Sequence, residues 1–234
     1  MGELFHLLTN STPGDDVVEF CGGTARTTVI LVHRRFKSGG NWDLCTGFDI
    51  NCLDTQKTAK QYLKIRGAAV AVMAPMCRAF GPLSNLNYVH NYKGWLDSYL
   101  KSRPHAIFCG EVAQLQLIVN RDFLNEQPHP SRMYELHPWP EVLQDDRVDS
   151  RIVDQCMAGA MGKTHPVRKQ TGVVASDQRL LEPFEPFVCD GSHYHENPTG
   201  ESLRRLQVWP WRFAQAAADG VEELIITKYG KNRE

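Results

Sequence analysis

A mainly parallel α/β sheet with helices on both faces is the fold class this sequence predicts, and three observations predict it. The run Ala68 to Ala74, AAVAVMA, is continuously apolar, as a strand covered on both faces must be. Strand-like and helix-like stretches alternate β-α-β-α-β from Asp16 to Asn125. Turn residues close the strand-like stretches, with Gly22-Gly23 after the first and Pro75 after the central one. At 234 residues, 42% hydrophobic and 23% charged, the chain is long enough for one large domain or one domain plus a small appendage.

The first unit runs from Asp16 to Phe36. Val17-Val18-Glu19-Phe20 reads as a short buried strand and Cys21-Gly22-Gly23-Thr24-Ala25-Arg26 as a glycine-bearing turn. Thr27 to Phe36 reads as a helix with Val29, Ile30 and Val32 facing inward. Glycines let backbone come close to a ligand, and the free N–H groups of a helix start offer it hydrogen bonds. Trp42 to Phe48 reads as the second strand and ends in Asp49, the place where doubly wound folds hold ribose hydroxyls. Gly22 and Asp49 lie 27 residues apart, longer than the ~20 of a dinucleotide fingerprint, and the glycine pattern is not GxGxxG. A tight turn and a solvated loop acid are the plain alternative. Thr55 to Arg66 predicts a crossover helix, Gly81 to Tyr92 a polar aromatic loop, and Lys93 to Asn120 a helix broken near Pro104. Arg121 to Asn125 predicts a further parallel strand ending in Glu126-Gln127-Pro128.

The central strand runs into Pro75-Met76-Cys77 and delivers one thiol to the carboxyl edge of the sheet, where strands end and loops diverge. A free cysteine beside a buried strand is commonly a small core residue. Glu126, at the end of a neighbouring strand, points to more, because a carboxyl beside a thiol supplies an acid and a nucleophile. Arg78 or a helix start would depress the pKa of the thiol, whose thiolate is the reactive form.

Residues 136–234 are less regular and form a C-terminal part, set apart from a core of residues 1–135. His137 to Asp145 holds a short amphipathic segment, and Arg151 to Cys156 and Thr171 to Ala175 read as strands. Between them Gly159 to Lys169 carries Lys163, His165, Arg168 and Lys169, either a solvated hairpin or a phosphate-contacting one with Arg168 as its main candidate. Cys189, His193 and His195 fall within seven residues, and Cys156 is a distant fourth ligand that would close a tetrahedron. These are the ligand types zinc prefers, although Cys-x3-His-x-His is not a standard finger, and exposed loop histidines are the alternative. Gln207 to Arg212 leads into a helix from Phe213 to Ile226, with Trp209 and Trp211 as core residues.

A formal charge of −1 excludes a polybasic protein that holds nucleic acid by bulk charge, so any such contact comes from a local patch. Seven scattered cysteines fit a reducing compartment. No signal-peptide h-region opens the chain and no apolar run approaches the roughly 20 residues of a membrane span. The expectation is a soluble, intracellular protein without a membrane partner.

Glu19-Phe-Cys-Gly-Gly-Thr24, Asp49, Pro75-Met-Cys77 and Glu126-Gln-Pro128 occur in the order seen in S-adenosylmethionine-dependent DNA cytosine-5 methyltransferases, which this chain resembles over roughly residues 16–130. It looks most like the compact variants of phage and of retroelement polyproteins. The resemblance implies a Rossmann-like class I methyltransferase fold with a small C-terminal extension. It also implies a cofactor site of Glu19, Cys21, Gly22, Gly23, Thr24, Asp49 and Pro75, and catalysis by Cys77 as thiolate and Glu126 as acid, with Arg168 as the arginine of a later strand motif. Cytosine-containing DNA and other domains of a polyprotein are the implied partners, and the target base must be flipped out of the duplex. The usual Pro-Pro-Cys-Gln is Pro75-Met76-Cys77-Arg78 here, and the usual Asn after the glutamate is Gln127. The alternatives are a catalytically silent module of the same shape or methyl transfer to RNA. Amino-group methylation is disfavoured, because no Asp-Pro-Pro-Tyr or Asn-Pro-Pro-Tyr motif occurs.

Overall fold

The computed structural model describes residues 13–197 and 201–231. In chain order the elements are β1 (Asp15–Phe20), α1 (Arg26–His33), β2 (Ser38–Trp42), α2 (Leu53–Ile65), β3 (Ala68–Met73), α3 (Ser84–His90), α4 (Tyr92–Ile118) and β4 (Asp122–Pro128). They continue with α5 (Trp139–Val142), β5 (Asp149–Asp154), β6 (Gln170–Ala175), α6 (Glu201–Arg205) and α7 (Trp211–Tyr229). The six strands form one sheet in the order β2-β1-β3-β4-β6-β5. β2, β1, β3 and β4 are parallel, while β6 runs antiparallel to both β4 and β5. The fold is therefore α/β with a mostly parallel sheet, and residues beyond 136 complete that same sheet.

Strand periodicity separates two cores. Val17, Val70, Val72, Leu124 and Val173 pack with α1 and α7 on one face. Val18, Ala71, Met73, Phe123 and Val174, which alternate with them, pack with α2, α4 and α5 on the other. Burial on both sides is why β3 reads as an unbroken apolar run. Phe20, Phe108, Phe123 and Trp139 are among the largest fully buried side chains of the second core. Truncating any one of them to Ala costs roughly 3–5 kcal/mol.

Several expectations are corrected. β2 ends at Trp42, not Phe48, because Gly39 and Gly40 belong to the strand. A Cβ on Gly39 would lie within bonding distance of the Tyr62 hydroxyl, which donates to Asp15, so only glycine fits beside α2. Asp49 consequently lies outside the strand. In α1 the buried residues include Ile30 and Leu31, whereas Val29 and Val32 are exposed. The expected loop from Gly81 to Tyr92 contains helix α3, and Asn91 then caps α4 by accepting from the Gly94 N–H. Pro104 does not break α4; the missing N–H falls opposite Leu100, one turn earlier on an exposed part of the helix where solvent is at hand. β4 runs on to Pro128, since β6 pairs with it from Leu124 to Pro128. Trp209 is half-buried against Phe213, but Trp211 is exposed beneath the Arg26 guanidinium. No helix among the described residues is long and apolar enough to cross a membrane.

Candidate active site

Strand register sets the site. Phe20 pairs with Met73 and Met73 with Asn125, so β1, β3 and β4 reach one carboxyl edge together. Cys21, the Pro75-Met76-Cys77 turn and Glu126 follow from those ends.

Cys77 and Glu126 lie close enough at this edge for the carboxylate to act on the thiol. Glu126 is buried and accepts from Lys169 Nζ at 3.4 Å and from Gln155 Nε2 at 3.5 Å. Gln155 also donates to Thr171 Oγ1 at 3.0 Å. Burial pushes the Cys77 thiol up; the positive charge of Lys169 opposes that shift and the carboxylate of Glu126 adds to it. Arg78 lowers the thiol in the expected direction, but less than Lys169 does and far from enough to offset burial, so the thiol is not depressed on balance. Gln127, where the resembled family has Asn, donates from Nε2 to the Pro75 carbonyl at 2.7 Å. Its carboxamide therefore ties the cysteine loop to β4.

At the neighbouring strand end, Glu19 is buried and its Oε1 accepts from the Thr28 N–H at 3.0 Å, capping α1. Its Oε2 has no hydrogen-bond partner, and burial raises the carboxyl to about 7. Gly22 lies directly over this carboxyl, since a Cβ there would stand 2.5 Å from Glu19 Oε2. The loop N–H groups are not free as the sequence suggested. Gly22 donates to Asn41 Oδ1 at 3.2 Å and Gly23 to Asp43 Oδ2 at 3.1 Å. Thr24 is exposed on the same turn.

Asp43 immediately follows β2, 21 residues after Gly22, which is the ~20-residue spacing that Asp49 misses. Asp49 instead accepts from the Asn51 N–H in the turn before α2. The signal for Asp43 was present, but the misplaced strand hid it.

Cys21 holds a third constellation that periodicity could not show. Its φ is +57°, a left-handed conformation rare outside glycine. Its Sγ lies 3.3 Å from His105 Nδ1, while Asn51 Nδ2 lies 3.0 Å from His105 Nε2. Hydrogen bonding from Cys109 and then from His105 outweighs burial and lowers the Cys21 thiol to about 6. His105 and Cys109 come from α4, more than 80 residues away in sequence.

Arg168 does not reach Glu126. Its guanidinium holds Asp154, with Nε 2.9 Å from Oδ1, and Asp154 in turn accepts from the Cys189 N–H. The hairpin cation that touches the acid is the next residue, Lys169. Cys156, Cys189, His193 and His195 do come together, with one ligand atom from each lying within 4.8 Å of all the others, so the cluster can hold a metal ion. No known protein family and no curated protein matches this chain.

Proposed function

We propose that this protein is a DNA methyltransferase that transfers the methyl group of S-adenosylmethionine to carbon 5 of cytosine through a Cys77 adduct. The observation that carries the reading is the convergence of Cys77, Glu126 and Lys169 at the carboxyl edge, one strand away from the glycine loop.

The residues of the loop suit such a cofactor. An orphaned buried carboxylate oxygen on Glu19 faces Gly22, the space where a Cβ on Gly23 would stand is open, and Asp43 closes the end of β2. Glu19, Gly22, Gly23 and Asp43 would hold it, with Cys21, Thr24 and Pro75 alongside, and zinc would occupy the Cys/His cluster. The cofactor supplies an electrophilic methyl group on a sulfonium.

In this reading the Glu126 carboxylate takes the Cys77 proton, and the thiolate adds to carbon 6 of a flipped-out cytosine. Glu126, carrying that proton, holds it at the ring nitrogen, which draws charge from carbon 6 as the thiolate adds and leaves carbon 5 nucleophilic. After methyl transfer, which leaves the donor sulfur as a thioether, the carbon 5 proton passes to water. Expulsion of the Cys77 thiolate then restores the aromatic ring, the ring-nitrogen proton returning through Glu126 to the thiolate. Lys169 and Gln155 orient the acid, and Gln127 fixes the loop that carries the thiol.

The test is incubation with labelled cofactor and DNA containing 5-fluorocytosine, followed by denaturing electrophoresis. Fluorine at carbon 5 blocks the final elimination, so the protein is expected to stay covalently bound to DNA. Cys77→Ser should reduce the adduct at least a thousandfold. Cofactor binding without any adduct would sink the reading. It would leave the silent module, which the burial-raised Cys77 thiol favours, unless a 5-fluorocytidine RNA traps the protein instead.

A further inference from the structure

We infer that Cys156, Cys189, His193 and His195 bind one Zn2+ tetrahedrally, and that this ion fixes the two side chains that orient Glu126.

The donor set is two sulfurs and two imidazoles, which suits tetrahedral zinc. Zn–S and Zn–N bonds of ordinary length place tetrahedral ligand atoms about 3.3–3.8 Å apart. Cys189 Sγ lies 3.4 Å from His195 Nε2 and 3.9 Å from His193 Nε2, so little movement closes the shell. Both cysteines are buried. The Gly191 N–H donates to Cys189 Sγ at 3.4 Å, and φ +77° at Gly191 turns the chain back toward His193.

The loop is also held from outside the cluster. Asp154 Oδ2 accepts from the Cys189 N–H at 3.0 Å. Glu196, next to His195, accepts from the N–H groups of Lys163, Thr164 and His165 at 2.9–3.1 Å. Those bonds set the backbone on both sides of the ligands before any metal arrives.

The connection to the acid runs through adjacent residues. Cys156 follows Gln155, whose side chain reaches Glu126 and whose N–H donates to the Lys169 carbonyl. Arg168, braced on the Asp154 that holds Cys189, precedes Lys169. Gln155 is thus one residue from a ligand, and Lys169 is one residue from the guanidinium that braces the carboxylate seating another. Outer groups of this kind orient what a metal site presents to its surroundings. The consequence for Glu126 rests on the proposed methyltransferase reading; the metal site does not.

The experiment measures metal content by plasma mass spectrometry on full-length protein purified without a polyhistidine tag, beside Cys189→Ser and His195→Ala. Hydrogen exchange is followed in peptides covering residues 154–157 and 168–171, with α1 as reference. One zinc per chain is expected in the wild type, with at least a tenfold loss in each variant and faster exchange in both peptides but not in α1. Zinc below a tenth of an equivalent in the wild type, or full occupancy in Cys189→Ser, overturns the site. Zinc loss with unchanged exchange at 168–171 overturns the link to Glu126.

Should the variants fail to fold, cobalt is exchanged into the wild type. Intense thiolate charge-transfer and tetrahedral d–d bands are expected, and their absence overturns the site. None of these readouts uses cofactor or DNA, so a failure here is separable from a failure of the adduct assay.

Discussion

Cys21 follows β1 and Cys77 follows β3, adjacent parallel strands whose last residues pair, yet the two thiols meet different surroundings. Cys21 is held by Cys109 and by an imidazole whose far nitrogen meets Asn51, and its thiol falls to about 6. Cys77 is raised by burial, and the two charges that act on it most, Lys169 and Glu126, act in opposite directions. Position at the carboxyl edge therefore does not by itself activate a thiol; its hydrogen-bond partners do. The thiol that the family resemblance selects is the resting one, so the methyltransferase reading requires deprotonation after the base has arrived. Cys21 is poised beforehand.

Alkylation with iodoacetamide, read by mass spectrometry across pH 5–10, should break this comparison open most widely. Cys21 is expected to titrate near pH 6, and Cys77, pushed up by burial, above the ordinary thiol range. Low-pKa thiolates are the weaker nucleophiles, so the rate ratio at pH 6 should be smaller than the thiolate populations alone imply. His105→Ala should move the Cys21 midpoint upward and leave Cys77 where it was. Coincident midpoints would remove the distinction between the two sites.

Glu19 carries β1 into Cys21, and its raised carboxyl makes folding pH-dependent. The native state keeps a proton on Glu19 between about pH 4.5 and 7, where the unfolded chain has lost it. Its contribution is therefore intact below 4.5 and is lost as pH rises through about 7. Glu19→Gln keeps an acceptor for the Thr28 N–H and removes the titration. Urea denaturation should find the variant about 1–2 kcal/mol more stable than the wild type at pH 8, and nearly equal to it at pH 4.5. A wild type that is the more stable at pH 8 would show that the Glu19 carboxylate is not a buried strain.

The same contrast explains what the sequence could show. β1, β3 and α2 were legible because their apolar runs fill both faces of the sheet or one stripe of a helix. Cys77 was legible because the end of β3 fixes it, and Glu126 because it is the first residue of β4 past the pairing with β3, although β4 itself continues to Pro128. The four-residue cluster was legible because three of its members are close in sequence. β2 was misread because Gly39 answers to Tyr62, a contact with α2 that no local pattern records. Lys169 rather than Arg168 meets Glu126 because alternation along a hairpin decides which of two adjacent cations faces the edge. The Cys21 partners come from the far side of a long helix, so only the folded chain could supply them.

The smallest effect is the most discriminating. Lys169→Met removes the positive charge that favours the Cys77 thiolate, and Glu126→Gln removes the negative charge that opposes it. The Cys77 midpoint should rise in the first variant and fall in the second, each by enough to change alkylation about threefold at fixed pH. Cys21 in the same digest is the internal reference and should not move. Shifts in one direction for both variants would mean that the pair does not act on the thiol as a pair. Glu126→Gln should meanwhile trap far less fluorocytosine DNA, although its Cys77 reacts faster with iodoacetamide. Faster alkylation with a lost adduct would separate the two functions of this edge, because a better nucleophile that cannot complete the addition lacks the acid and nothing else.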